Sequence, residues 1–317
     1  MTKRERVFAA LARAPVDRPP VAFWRHAPDV DHTAKGLAEA MLAFHRRFDL
    51  DLIKVMSSGV YCVEDWGCTV AYTGSPNGAK QCTAHGVRTT ADWARVRELD
   101  ALRLIVRGRH DDAPVLHTIF APLTVARKLA GERLDEDLRV DPQAVQAALE
   151  TITATVTRYA LAALDAGADG LFVATQTASP EVFAGDEFKR FGLPATRRLL
   201  DGVAARSTLT LLHIHGRDIA FDPLAALPVH AINWHDRLTP PALGDALARF
   251  RGAVVGGLGE TGTLRRGPAA AVADEVRDAV RQTGGRGLVL APGCVLPLDT
   301  PETHLDAAVE AAKRTRP

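Results

Sequence analysis

Leu209-Thr210-Leu211-Leu212-His213-Ile214-His215-Gly216 is an apolar run that ends in two histidines and a glycine. A short run with no polar alternation reads as a strand buried on both faces, the kind that parallel sheets use. On a strand, residues i and i+2 share a face. His213 and His215 therefore point the same way, at the place where the strand stops. Helical spacing precedes the run over 184–205, and a short helix is expected near 222–227. The stretch is thus one β-α unit with polar side chains at its carboxyl end.

Outward from it, the same grammar repeats. Strands are expected at 20–24, 51–56, 115–120, 170–175, 231–235, 253–258 and 287–291, making eight with 209–215. Helical patterns fall at 34–48, 122–131, 141–166, 240–250, 268–283 and 301–314. Parallel β-α units follow from this alternation. An open, doubly wound sheet is one way to arrange them. Eight units ending in a helix match a (β/α)8 TIM barrel better. With no Pro/Ser linker and no low-complexity tract, residues 1–317 are expected to form one barrel domain, its bottom capped by the helix at 4–13.

Bulk composition narrows the function. Lys and Arg number 39 against 38 for Asp and Glu. That balance gives no electrostatic case for nucleic acid or for a membrane surface. No apolar run approaches the roughly 20 residues of a membrane span, and the opening Met-Thr-Lys-Arg-Glu-Arg lacks an apolar signal core. Four cysteines (62, 68, 82 and 294) in so long a chain are no disulfide framework. A cytoplasmic location is expected.

In barrels of this kind the chemistry sits at the carboxyl ends of the strands. There the sequence places Trp24, Arg25, His26, Lys54, Met56, Gln176, His213, His215, His235, Asp236, Glu260 and Cys294. His213 and His215 after the fifth strand, with Cys294 after the eighth, face across the rim. Two imidazoles and a thiolate are donors that zinc accepts, with a fourth position left for substrate. The residues alone leave a blander alternative open, in which the histidines hydrogen-bond within the barrel mouth and Cys294 is a small buried hydrophobe. Arg25 offers a bidentate clamp for a carboxylate or phosphate. Gln176 and Glu260 are candidate substrate contacts, and His235 and Asp236 candidate proton carriers. Glu64-Asp65 beside Trp66 is read as a solvated loop face, and Cys62, Cys68 and Cys82, with no zinc-knuckle spacing and no nearby His, are unassigned.

The chain also resembles the uroporphyrinogen decarboxylase superfamily. The resemblance lies in Thr2-Lys-Arg-Glu-Arg-Val-Phe8 with Pro15-Val-Asp-Arg-Pro-Pro-Val21, in Leu52-Ile-Lys-Val-Met56, in Thr118-Ile-Phe-Ala-Pro-Leu-Thr124 and in Ala168-Asp-Gly-Leu-Phe172. Its most specific part is Ala291-Pro-Gly-Cys-Val-Leu-Pro-Leu-Asp-Thr-Pro301. The superfamily has the barrel fold inferred above. Its decarboxylases continue their first motif with a second arginine where this chain reads Arg25-His-Ala-Pro-Asp29. They carry an acidic residue where Ser57-Ser58 stands, and a histidine in place of Cys294. Those departures point to the other branch, the corrinoid-protein and coenzyme M methyltransferases, of which cobalamin-independent methionine synthase is a distant relative. That branch holds zinc through a His-x-Cys pair and a Pro-Gly-Cys segment. Here the pair is His213-Ile-His215, one thiolate poorer, which leaves the metal a stronger Lewis acid.

The resemblance implies a zinc ion on His213, His215 and Cys294 that activates an acceptor thiol for alkyl transfer. Arg25, Gln176 and Glu260 would position a small-molecule substrate, and His235 or Asp236 would handle protons. The methyl donor would be a corrinoid on a partner protein, since nothing in the chain reads as a cobalamin domain. The alternatives are a cofactor-free decarboxylase and a non-catalytic metal- or ligand-binding barrel.

Overall fold

The computed structural model describes residues 1–64, 67–85, 105–183 and 186–315. Asp65, Trp66 and the first residues of the helix expected over 184–205 lie outside them. In chain order come helices α1 (Lys3–Leu11) and α2 (Ala34–Phe48), strand β1 (Ile53–Lys54), the short helix α3 (Tyr61–Glu64), and strands β2 (Thr69–Ala71) and β3 (Gln81–Ala84). Then follow β4 (Val115–Phe120), α4 (Pro122–Ala130), α5 (Arg133–Val140), α6 (Pro142–Asp165) and β5 (Gly170–Thr175). A π turn (Phe188–Gly192) runs into α7 (Leu193–Val203), followed by β6 (Leu209–Ile214), α8 (Phe221–Ala225), β7 (Ala231–Trp234) and α9 (Leu243–Arg249). The chain closes with β8 (Ala253–Leu258), α10 (Thr263–Arg266), α11 (Ala269–Thr283), β9 (Leu288–Pro292) and α12 (Glu302–Arg314).

Seven strands form one parallel sheet in the order β1-β4-β5-β6-β7-β8-β9. Every residue of β4, β5, β6, β7, β8 and β9 is buried, as helices on the outside and side chains within the ring require. The eighth position of the barrel is taken by a single residue. Val21 bridges Leu290 of β9 in parallel register, with Ala22 N donating to Leu290 O at 2.9 Å and Leu290 N to Pro20 O at 2.8 Å. On the other side Asp51 N donates to Val21 O at 2.9 Å. The strand expected over 20–24 is reduced to this bridge because Pro19 and Pro20 have no N–H to extend a ladder.

α1 lies across the amino ends of the strands, as a bottom cap. Arg6 reaches Asp51 ahead of β1, Lys3 reaches Asp111 ahead of β4, and Arg4 reaches Asp169 ahead of β5. Arg13 donates to the carbonyls of Leu247, Phe250 and Gly252 ahead of β8. Thr2 and Glu5 form a capping box that starts the helix. Among the elements that went unforeseen are α5, the short helices α3 and α10, and the antiparallel β2–β3 ribbon, whose strands lack a buried apolar face. Among the described residues no helix is long and apolar enough to cross a membrane.

Candidate metal centre

β6 delivers its two histidines to the rim because Gly216 ends it. Gly216 has φ +104°, and a Cβ there would lie 2.6 Å from Ser179 Cβ, so the chain turns where only glycine fits. β9 delivers Cys294 through a second glycine. A Cβ on Gly293 would meet His235 Cα at 2.8 Å and Trp234 O at 2.9 Å. Without one, the end of β9 lies against the end of β7. Cys294 Sγ then sits 3.8 Å from His213 Nε2 and 3.7 Å from His215 Nδ1. A ligand atom from each of these three residues lies within 4.8 Å of the other two, a spacing that tetrahedral coordination of one ion demands.

Asn233, the middle polar residue of β7 and fully buried, decides which way His213 faces. Its Nδ2 donates to Val255 O at 2.8 Å and to Pro292 O at 3.1 Å. Both partners are carbonyls, so the amide has one orientation, and Oδ1 must face His213 Nδ1, at 2.6 Å. His213 therefore carries its proton on Nδ1. Its Nε2 lone pair is bare and turned toward Cys294, the tautomer that a metal ligand needs.

His235 stands beside this trio. Its Nδ1 meets Glu260 Oε1 at 2.6 Å, and its Nε2 lies 3.2 Å from His215 Nδ1. Burial alone would lower the His235 pKa. Hydrogen bonds to Cys294 and Glu260 outweigh it and raise the value to about 10. For Cys294, burial alone would raise the thiol pKa, but three imidazoles around Sγ hold it well below its usual range. Burial keeps His213 on the neutral side. Two imidazole nitrogens and an easily ionised thiol are a donor set of zinc type.

The trio forms one wall of a cavity of ≈ 130 Å³ at the carboxyl end of the barrel, opposite Trp24, His26, Lys54, Phe172 and Gln176. That is room for roughly ten water-sized groups. Lys54, which the sequence placed at a strand's carboxyl end, reaches into this space. It is buried, its Nζ stands 4.2 Å from the centre of the Phe172 ring and 5.5 Å from that of Trp24, and burial lowers its pKa to about 7. Lys128 and Lys80 line the same space. Lys80 is paired with Asp31 at 2.6 Å and burial lowers the Lys128 pKa, so the wall facing the trio is basic, with Lys54 and Lys128 free of a carboxylate partner in the cavity lining. Burial and the charge of Lys54 take His26 down to about 3, leaving it neutral at ordinary pH.

The structure brings His213, His215, Cys294, His235, Glu260 and Gln176 together. Arg25 and Asp236 stand apart. Arg25 lies over the Phe44 ring, 5.1 Å from its centre, and reaches Glu302 at 3.9 Å, lining a groove beside α2 and α12. Asp236 turns away from the cavity and accepts Gly257 N with both oxygens at 3.1 Å. Its burial pushes the carboxyl up to about 7. Asn233 and Lys128 were missed by sequence reasoning. A polar residue inside an otherwise apolar strand was the signal for Asn233; Lys128, on a helix, gave none.

Residues 2–315 match the family model "Uroporphyrinogen decarboxylase (URO-D)". Among curated proteins, the chain is 24% identical to methylcobamide:CoM methyltransferase MtbA of Methanosarcina mazei, covering 99% of this chain and 98% of that protein. It is 25% identical to methylcobamide:CoM methyltransferase MtaA of Methanosarcina barkeri, covering 98% and 97%. A solved structure of a methyltransferase from Methanosarcina mazei superposes with a TM-score of 0.83 over 98% of both chains, at 24% identity. The fold is therefore that of a TIM barrel, and the chain belongs to the uroporphyrinogen decarboxylase (URO-D) family.

Proposed function

We propose that the protein is a zinc-dependent methyltransferase that moves a methyl group from a corrinoid, carried by a partner protein, to a small thiol. The observation that carries this reading is the convergence of His213 Nε2, His215 Nδ1 and Cys294 Sγ from the ends of β6 and β9. The full-length similarity to methylcobamide:CoM methyltransferases supports it.

His213, His215 and Cys294 would hold the ion. When bound, zinc supplies a Lewis acid that lowers the pKa of an acceptor thiol to make it a nucleophile. The chain's own residues do the rest. Asn233 fixes the His213 tautomer. His235, with Nδ1 on Glu260 and Nε2 beside His215 Nδ1, has its pKa raised to about 10, so at neutral pH it is an imidazolium that sets a positive charge and a donatable proton next to the trio. Glu260 thus acts through His235. Gln176 borders the space from the β5 side, and Lys54 and Lys128 favour an acceptor that carries a negative group. Walls of Trp24 and Phe172 keep the transfer out of bulk water.

The test pairs metal content with turnover. Native protein is expected to hold metal at this site and to demethylate methylcobalamin in the presence of a small anionic thiol, followed by the change in corrinoid absorbance. His213→Ala and Cys294→Ala should lose both. Metal content unchanged in either variant would sink the ligand assignment. Turnover of uroporphyrinogen without metal would establish the cofactor-free decarboxylase instead.

A further inference from the structure

Three of the four cysteines lie on one wall of the molecule, away from the centre described above. The antiparallel pairing of β2 with β3 sets Val70 opposite Cys82 and Thr69 opposite Ala84. Cys68, just before β2, is thereby brought beside Cys82 and beside His85, just after β3. We propose that Cys68, Cys82 and His85 form a second metal site, for a divalent ion of zinc type, that ties the β2–β3 ribbon to the end of α4.

Both sulfurs and a ring nitrogen of His85 lie within 4.8 Å of one another. All three groups crowd one acceptor, the carbonyl oxygen of Lys128 in the last turn of α4. Cys82 Sγ is 3.6 Å from it, Cys68 Sγ 4.0 Å and His85 Nδ1 2.9 Å. An ion held between the three would take both sulfurs as thiolates, their protons passing to solvent, with the imidazole neutral and its Nδ1 proton kept on the Lys128 carbonyl. Two thiolates then cancel the charge of the ion. Cys62 on α3 is close enough to feel both sulfurs electrostatically and is the remaining soft donor on this wall. The place of the ribbon gives the ion a task. Lys128 also lines the central cavity, so fixing its carbonyl fixes that side of the cavity wall.

The sequence reading of no nearby His is corrected by His85, which stands three residues after Cys82. Thirteen residues lie between Cys68 and Cys82, too many for a zinc knuckle, and only the hairpin register makes those two neighbours.

The test uses full-length Cys294→Ser protein, freed of metal under reductant, so that the central thiolate contributes nothing. Titration with cobalt(II) is expected to give a thiolate-to-cobalt absorption band saturating at one equivalent, displaced by zinc. Adding Cys82→Ser should abolish the band and weaken binding more than about 100-fold. His85→Ala, on the half-exposed side, should keep a two-thiolate band and bind on the order of 10- to 100-fold more weakly. Its loss of affinity is the readout where Cys82→Ser does not fold. Cys82→Ser alone should retain the metal of the central site. No band in Cys294→Ser, a band indifferent to Cys82→Ser, a cobalt affinity unchanged by His85→Ala, or a Cys68–Cys82 disulfide in protein kept under reductant would each overturn the proposal. Because each site is read in a variant lacking the other, failure here leaves the central site's own test intact.

Discussion

Asn233 is the residue on which the proposed chemistry turns, although it carries none of it. Its amide links β7 to β8 and to the end of β9 through two donated hydrogen bonds, and to β6 through the one it accepts from His213. Truncation frees the imidazole to rotate and to change tautomer, and leaves two buried carbonyls without a donor. Asn233→Ala is therefore expected to lower stability by about 2–4 kcal/mol in urea denaturation. Metal affinity at the central site should fall on the order of 10- to 100-fold, as for other groups that orient a ligand. Full retention of metal affinity would show that the ring is held by something else. His213, His215 and Cys294 were legible in the sequence because a strand-end His-x-His and a Pro-Gly-Cys declare where they point. Asn233 was not, since what matters is the pair of carbonyls it meets on two other strands. Arg25 sits at the expected strand end, but the ring of Phe44 and the carboxylate of Glu302 draw its guanidinium outward, a choice that only packing reveals.

At the level of elements, the closure of the barrel is carried by one carboxylate. Asp51, fully buried, receives Arg6 Nη1 at 2.6 Å and Arg18 Nη1 at 2.6 Å, and also takes Val21 N at 2.8 Å. It thus joins α1, the turn after it, the reduced first strand and the start of β1. Removing it leaves Arg18 without its carboxylate, Arg6 with only the carboxylate of Asp17, and Val21 N without its acceptor. Asp51→Ala should cost roughly 3–5 kcal/mol, read as a lower urea midpoint with an unchanged slope. Folded protein should keep its central metal, because the lesion lies at the opposite end of the strands. Loss of metal with unaltered stability would contradict this division of labour. The same carboxylate explains what the sequence concealed. Residues 20–24 have a strand's apolar pattern, yet Val21 N is spent on a side chain and two prolines precede it, so a bridge forms where a ladder was expected. The other strands were legible because each is a largely apolar run, whereas β2 and β3 bury too little apolar surface to mark their period.

For the whole molecule, buried histidines set how stability responds to acid. His117, on β4, faces Tyr159 Oη at 2.8 Å through Nε2, while its Nδ1 is buried with no hydrogen-bond partner. Burial lowers its pKa from 6.5 to about 4. Above pH 6.5 neither the folded nor the unfolded chain protonates it, and its contribution is intact. As pH falls below 6.5 the unfolded chain takes a proton that the folded chain refuses, so stability drains away until the pH reaches about 4. A shift of that size corresponds to about 3 kcal/mol over the full window. His26, lowered to about 3 by burial and the charge of Lys54, adds to the loss in the same direction. His117→Gln keeps a hydrogen-bonding partner for Tyr159 but does not titrate. Urea denaturation at pH 7 and at pH 4.5 should show the native protein losing about 2 kcal/mol more than His117→Gln between the two conditions. Equal losses would mean that His117 accepts its proton inside the fold, and that the β4 wall beside Tyr159 opens to water before the barrel does.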